Sequence, residues 1–232
     1  MTFTREDGRK PHEFRPVVIK AGVIPNANGS AMVQLGKTVA FAAVYGPREL
    51  HPKHLQVADK ALLHTIYMMA PFSTTERVRP GPSRRSQEIC KVTREALEPA
   101  VFLEEFPKAT IDVFINILQA DAGTRTAGIN AASVALADAG VPMRDLVASI
   151  AAGKIGDEYV MDLAGKEEDE THCDLPVAYM PRTKKVTLLQ MDGKLPPEDV
   201  KKVMQLAISG CEKIYELQKQ ALRERWIAKE RA

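Results

Sequence analysis

Alternating apolar and polar residues dominate the first third of the chain and predict β-strands. The alternating runs cover 17–24, 30–35 and 38–45. Short polar turns separate them, which is typical of an antiparallel meander. A further apolar run at 61–70 fits a helix or a strand, and its ending at Tyr67-Met68-Met69-Ala70-Pro71 favours a strand.

Apolar residues at helical spacing appear in three later segments. Ser83 precedes the first of these segments and is suited to cap a helix. An alanine-rich run at 129–139 follows an apolar strand at 111–118, and a long helical face begins at Pro197. The remaining predicted strands are 147–155, 159–163, 177–179 and 186–191.

This order of elements predicts the fold class. We expect an α+β fold in a single domain over residues 1–232, because no linker or low-complexity segment divides the chain. The alternation of strands and helices suggests two βαβ-type halves around a shared core, closed by a long C-terminal helix. No convincing sequence repeat marks the halves.

Composition excludes several classes of protein. The 232 residues are 45% hydrophobic and 27% charged with a net charge of +2. Any nucleic-acid affinity must therefore come from local clusters. Three widely spaced cysteines argue against a disulfide framework or a zinc ribbon. No apolar run approaches the roughly 20 residues that span a bilayer, so we expect a cytoplasmic protein without membrane contact.

The turn that joins the strand at 111–118 to the next helix could bind phosphate. Gly123 lets the backbone approach an anion, Thr124 and Thr126 supply hydroxyls, and Arg125 offers a guanidinium that can bind two oxygens. The N–H groups of the helix would add to this site. Taken alone, the turn is better explained as an ordinary helix start with a solvated arginine, and it lacks the lysine of a Walker motif.

Two basic segments could contact RNA. Arg84 and Arg85 follow Ser83 and would occupy a first helical turn, where the helix dipole disfavours cations, so an anionic partner is indicated. Lys53 and His54 lie in a basic loop. The alternative is that these are surface loops paired with nearby acids.

Acidic residues are concentrated between the last predicted strands. Glu167, Glu168, Asp169 and Glu170 are consecutive, and Asp174 follows. Neighbouring carboxylates raise one another's pKa and can keep one of them protonated. Alone, such a run is typical of a solvated loop.

Together these blocks resemble the RNase PH superfamily, most closely the catalytic RNase PH-like subunit of the archaeal exosome ring. The resemblance covers nearly the whole chain. It rests on ordered motifs at 5–9, 28–30, 44–49, 70–73, 79–86, 118–125, 132–140, 142–146 and 189–193.

The resemblance implies a fold of two βαβ-type halves and assigns roles to the candidate residues. Gly123, Thr124, Arg125 and Thr126 would bind inorganic phosphate as co-substrate, while Arg84 and Arg85, helped by Lys53 and His54, would hold the RNA. Asp174 matches one family aspartate. The other family aspartate falls at Asp169 if the loop is one residue shorter here, or at Glu168 if the spacing is kept. We favour Asp169, because Glu-Glu-Asp aligns with the family as a unit. A Mg²⁺ ion shared by Asp169 and Asp174 is allowed but not required.

The implied activity is phosphate-dependent 3′→5′ exonucleolysis of single-stranded RNA. The implied partners are a related RNase PH-like subunit in a hetero-hexameric ring and RNA-binding cap subunits. Two alternatives remain: a homohexameric enzyme that trims tRNA 3′ ends, and a non-catalytic ring subunit that only binds RNA.

Overall fold

The computed structural model describes Arg5, residues 7–165, Glu167 and residues 171–230. For residues 229 and 230 it describes the backbone only. Asp169 and Glu168 lie outside this part of the chain. The described elements form two five-stranded sheets and three α-helices. None of these helices is both long enough and apolar enough to cross a membrane.

The first sheet begins with the predicted meander. β1 (Val17–Ala21), β2 (Gly29–Leu35) and β3 (Thr38–Glu49) are antiparallel neighbours. β4 (Leu62–Met69) is a strand, as its sequence favoured, and it pairs in parallel with β5 (Ala109–Gln119). The strand order is therefore β1-β2-β3-β5-β4.

Two helices cover this sheet. α1 (Arg84–Leu97) connects the parallel strands β4 and β5, as parallel pairing requires of a crossover, and α2 (Thr124–Asp138) follows β5. α2 is buried almost throughout, because its alanines and glycine let it pack closely against strands on both sides. A Cβ on Gly128 would lie 3.1 Å from Cγ2 of Ile115.

The second sheet packs against the other side of α2. It consists of β6 (Ala148–Ile155), β7 (Glu158–Met161), β8 (Cys173–Met180), β9 (Lys185–Leu189) and β10 (Asp192–Gly193). β8 lies between β10 and β6 and also pairs with β9, all antiparallel. Both faces of β8 are covered, because Ala178 and Met180 join the core around α2 while Leu175 and Val177 join a second core.

That second core lies under α3 (Pro197–Glu230), the predicted closing helix, which packs on β6, β7 and β8 and also contacts β1. A buried polar network ties α3 to the centre of the molecule. Nε2 of Gln218 donates to Oδ1 of Asn130 in α2 at 3.0 Å, and Oδ1 of Asn130 also accepts from the backbone N–H of Ser149 at 2.9 Å. The layers are therefore sheet, helices, sheet and helix, an α+β arrangement as predicted.

The largest differences from the predicted boundaries occur in three elements. β3 continues past Tyr45 to Glu49, because it gains partners at the beginning of β5. β8 begins at Cys173 rather than at Val177, so Asp174 lies on a strand and not in a loop. α2 begins at Thr124, five residues before its predicted alanine-rich run, since the first turn is polar and lacks the apolar pattern used to find the helix.

Candidate active site

The N-terminus of α2 forms the base of the site. Ala122 and Gly123 have φ values of 58° and 65°, so the chain turns sharply before entering the helix. A glycine at the second position adopts this conformation without strain. Gly123 has no side chain to cap the helix. The first backbone bond of the helix runs from the N–H of Ala127 to the carbonyl of Gly123. The N–H groups of Thr124, Arg125 and Thr126 come before it and have no acceptor within the helix. They carry the positive end of the helix dipole.

Residues distant in sequence hold this turn in place. Thr38 Oγ1 accepts from the backbone N–H of Asp121 at 2.9 Å and donates to the carbonyl of Ala122 at 2.7 Å. Arg15 donates from Nη1 to the carbonyl of Asp121. The turn at 121–123 is therefore held in place by a buried hydroxyl and a buried guanidinium that the sequence motif did not include.

A cleft of about 290 Å³ opens in front of the helix N-terminus. It lies between the two halves of the fold and carries both cations and carboxylates. Its lining residues are Arg85, Glu88, Gly123, Thr124, Arg125, Thr126, Ala151, Asp174, Pro176 and Asp192. All four predicted phosphate-binding residues thus meet one predicted RNA-binding arginine and one predicted acid.

Arg125 lies at the centre of this cleft and is held by an acid on another helix. Its Nη2 donates to both carboxylate oxygens of Glu88, at 3.3 and 3.2 Å. Its Nε is buried and has no hydrogen-bond partner among the described residues. A buried, unsatisfied N–H is costly, so an anion bound beside Arg125 would supply a missing acceptor.

The two arginines at the beginning of α1 are placed differently. Ser83 caps the helix as predicted, accepting from the backbone N–H of Ser86 at 3.0 Å within a capping box. Arg84 and Arg85 are both exposed in the first turn, but only Arg85 lines the cleft. Arg84 projects from the same turn without contributing to the cleft wall.

Two of the described acids of the cleft lie on neighbouring strands. Asp174 of β8 and Asp192 of β10 are directly opposite each other in the antiparallel pair, which places their side chains on the same face. The pKa of the adjacent Cys173 thiol is raised, first by burial and then by the charges of Asp174 and Asp192. Asp169 and Glu168, the other predicted acids, lie outside the described residues.

Lys53 and His54 are not brought into the cleft. They form an exposed single turn of 3-10 helix (Lys53–Leu55) next to the end of β3. The end of β3 pairs with Ala109 at the beginning of β5, whereas the turn at 121–123 follows the other end of β5, at Gln119. The length of β5 places the two regions roughly 30 Å apart, so this loop could contact only RNA far from its reacting end.

Three residues of the site were missed by the sequence reasoning. Glu88 lies in α1, where the sequence analysis gave it no role, while Gln190 and Asp192 were noted only as part of a resembling motif. Their helical or strand position gave no sign of their role. Glu88 lies three residues after Arg85 and therefore on the same helix face, which is the one available signal.

Tyr67 of β4 is a buried side chain close to the arginines of the cleft. The pKa of its phenol is raised by burial, an effect that the positive charges of Arg85 and Arg125 only partly offset. Tyr67 also packs within 3.7 Å of the position that a Cβ on Gly128 would take. The buried ring of Tyr67 therefore lies near both arginines, which themselves line the open cleft.

Comparison with known proteins identifies the family of the chain. Residues 13–142 match the 3′ exoribonuclease family, domain 1, and residues 145–210 match the same family's domain 2. The exosome complex component Rrp41 of Pyrococcus furiosus is 58% identical over 96% of this chain and 89% of its own length. The corresponding protein of Nitrosopumilus maritimus is 52% identical over 96% of this chain and 91% of its own length.

Similarity in three dimensions extends further than similarity in sequence. The crystal structure of rice (Oryza sativa) Rrp46 superposes with a TM-score of 0.83, covering 94% of this chain and all of that chain at 23% identity. At that identity the likeness concerns the fold alone, and the fold is the one that the resemblance implied. On the family matches and the identity to the archaeal proteins, this chain belongs to the 3′ exoribonuclease family of RNase PH-like proteins.

Proposed function

We propose that this chain is a phosphorolytic 3′→5′ exoribonuclease and the catalytic subunit of an exosome-type ring. The observation that carries the proposal is the cleft itself. An uncapped helix N-terminus, Arg125 and Arg85 converge there on Asp174 and Asp192. Positive groups suited to two phosphates and carboxylates suited to proton transfer are the parts that phosphorolysis of RNA needs.

The reaction follows from the placement of these groups. Inorganic phosphate would be held by the N–H groups of Thr124, Arg125 and Thr126 and by the Arg125 guanidinium, while Arg85 would hold the last phosphodiester of the RNA. A phosphate oxygen attacks that phosphorus, and the bond to the 3′-oxygen of the preceding nucleotide breaks. The products are a nucleoside 5′-diphosphate and an RNA shorter by one nucleotide. Catalysis consists of positioning and charge stabilisation.

The departing 3′-oxygen needs a proton. Asp174 is the described acid that we assign to this step together with Asp169 or Glu168. Asp192 lies opposite Asp174 and adds a second negative charge, which favours the protonated form of a neighbouring carboxylic acid. The proton moves from the carboxylic acid to the 3′-oxygen as the bond to phosphorus breaks.

A Mg²⁺ ion remains a proposal for the same place. Within the described part of the chain, no group of three or more His, Cys, Asp or Glu is arranged to hold a metal. Mg²⁺ commonly binds one or two carboxylates together with substrate phosphates, and Asp174 with Asp169 or Asp192 fits that donor set. The ion would supply charge neutralisation at the phosphate oxygens.

Arg125→Ala tests the phosphate site. The guanidinium lines the cleft beside the helix N-terminus, so its loss should lower phosphate-dependent release of nucleoside diphosphates by about 10²- to 10³-fold. The measurement is chromatography of nucleotides released from labelled RNA with and without phosphate. Normal release by a folded Arg125→Ala protein would refute the assignment.

Purification of the chain alone and with a related subunit tests the ring. The archaeal relatives are named as components of an exosome complex, and we propose that this chain also assembles with an RNase PH-like partner and with RNA-binding cap subunits. Activity that appears only on adding such a partner supports this assembly. An active homohexamer would favour the tRNA-trimming alternative, and a ring inert in phosphate would favour a purely RNA-binding subunit.

A further inference from the structure

Glu88 occupies an unexpected place for a carboxylate. It lines a cleft that must accept an inorganic phosphate and an RNA phosphodiester, both of them anions. A negative charge there opposes substrate binding electrostatically. Two neighbours hold it in this position, so its contacts indicate a role beyond the solvation of an exposed helix face.

The first neighbour is Arg125. Both oxygens of Glu88 accept from Nη2 alone, at 3.3 and 3.2 Å, which leaves Nη1 and Nε for another ligand. These contacts are longer than the roughly 2.7–2.9 Å of strong charge-assisted bonds. Glu88 therefore fixes the direction of the guanidinium while leaving much of its hydrogen-bonding capacity for an anion.

The second neighbour is Gln190. Its Nε2 donates to Oε1 of Glu88 at 3.0 Å. Gln190 lies in the short connection between β9 and β10, two residues before Asp192. It therefore belongs to the same segment of chain as an acid of the cleft. The chain Gln190–Glu88–Arg125 thus joins the second sheet, α1 and α2 across the mouth of the cleft.

We infer that Glu88 is a positioning residue that orients Arg125 for inorganic phosphate, with Gln190 fixing the carboxylate in turn. This inference rests on the proposed phosphorolytic function and names a residue that the function itself does not require. A long arginine side chain loses considerable rotamer entropy when it is held in one geometry. Glu88 removes that cost before phosphate arrives, so phosphate binds to a guanidinium that is already directed.

The test uses Glu88→Ala in the ring assembled with its partner subunit. We expect the KM for phosphate to rise roughly tenfold, because a guanidinium that is no longer held binds its ligand less well. The KM for RNA should change less than twofold, and the thermal unfolding midpoint should stay that of the wild type. Glu88→Gln keeps an oxygen acceptor for both neighbours and should restore part of the phosphate affinity.

Glu95→Ala is the matched control. Glu95 is on the same helix and is similarly exposed, but its ion-pair partner is Lys91 at 3.9 Å and it does not line the cleft. It should leave both KM values unchanged. Gln190→Ala should shift the phosphate KM in the same direction as Glu88→Ala, and the double variant should be no worse than Glu88→Ala, because the two residues act in series.

The outcomes separate this inference from the proposed function. If the wild-type ring releases nucleoside diphosphates but Glu88→Ala leaves the phosphate KM unchanged, the positioning role is wrong. If the KM falls, Glu88 competes with phosphate instead, and the inference is also wrong. If the wild-type ring shows no phosphate-dependent release, the proposed function fails and this inference fails with it.

Discussion

At the scale of single residues, the turn at 121–123 depends on Thr38, whose side chain lies 83 positions before Asp121 in sequence. Thr38 is fully buried, and its hydroxyl both accepts from Asp121 and donates to the carbonyl of Ala122. The carbonyl and the N–H belong to the two residues before Gly123. One hydroxyl therefore satisfies two backbone groups that the sharp turn would otherwise leave without partners.

Thr38→Val should destabilise the protein by about 1–3 kcal/mol, because valine keeps the shape and leaves two backbone groups unsatisfied. Urea unfolding measures the change. Thr183→Val provides the control, since Thr183 is exposed and its hydroxyl makes only a 3.5 Å contact to the carbonyl of Met180. Equal effects of the two substitutions would show that the Thr38 hydroxyl does not support the turn.

At the scale of elements, the start of α3 is fastened to the second sheet by a polar cluster. Nζ of Lys154 in β6 and the Tyr159 hydroxyl in β7 each donate to the carboxylate of Asp199, both at 2.7 Å. These bonds, from Lys154 first and Tyr159 second, lower the pKa of Asp199 below its ordinary value of 3.8. The bond to Asp199 raises the pKa of Lys154 above 10.5.

The two shifts set a pH window for the cluster. A lowered folded-state pKa makes the contribution of Asp199 present above pH 3.8, and it is lost as the pH falls through the folded value. The raised pKa of Lys154 makes its contribution present below pH 10.5, and it is lost at higher pH.

Asp199→Asn should therefore lower stability by a constant amount between about pH 5 and pH 9. The difference from the wild type should shrink below pH 3.8. Urea unfolding across the pH range measures this, and a difference that persists undiminished in acid would contradict the role of the carboxylate charge.

Sequence patterns predicted the elements well where burial of one face produced a regular spacing of apolar residues, and poorly where no such spacing was present. The meander and the closing helix follow from alternation and from a helical stripe. The start of α2 was misplaced because its first turn is polar and lines the cleft instead of burying apolar side chains. The sequence did not identify Glu88 and Asp192 as cleft residues for a related reason. Their role depends on which strand or helix lies opposite them, and tertiary packing decides this.

At the scale of the whole molecule, the N-terminal segment joins the two sides of the cleft. Arg15 forms a two-pronged pair with Asp162, with Nε to Oδ2 at 2.9 Å and Nη2 to Oδ1 at 2.7 Å, and it also donates to the carbonyl of Asp121. Arg5 pairs similarly with Glu167 at 2.8 and 2.7 Å. Asp121 immediately precedes the turn before α2, and Asp162 follows β7. The buried Arg15 guanidinium therefore connects these two places, while Arg5 holds Glu167 to the N-terminal segment.

Arg15→Met tests this connection. Both partners are almost completely buried, with 5% and 2% of their side chains exposed. Removing the arginine leaves the buried Asp162 carboxylate with Arg9, at 3.2 Å, as its remaining ion-pair partner among the described residues. We expect a loss of about 3–5 kcal/mol in the free energy of unfolding. Arg94→Met removes a partly exposed pair with Glu98 on α1, and it should cost less than about 1 kcal/mol. Because Arg15 also supports Asp121, the folded fraction of Arg15→Met should bind phosphate more weakly, whereas Arg94→Met should not. A stable Arg15→Met protein with wild-type phosphate affinity would mean that the two sides of the cleft hold their places without the N-terminal segment.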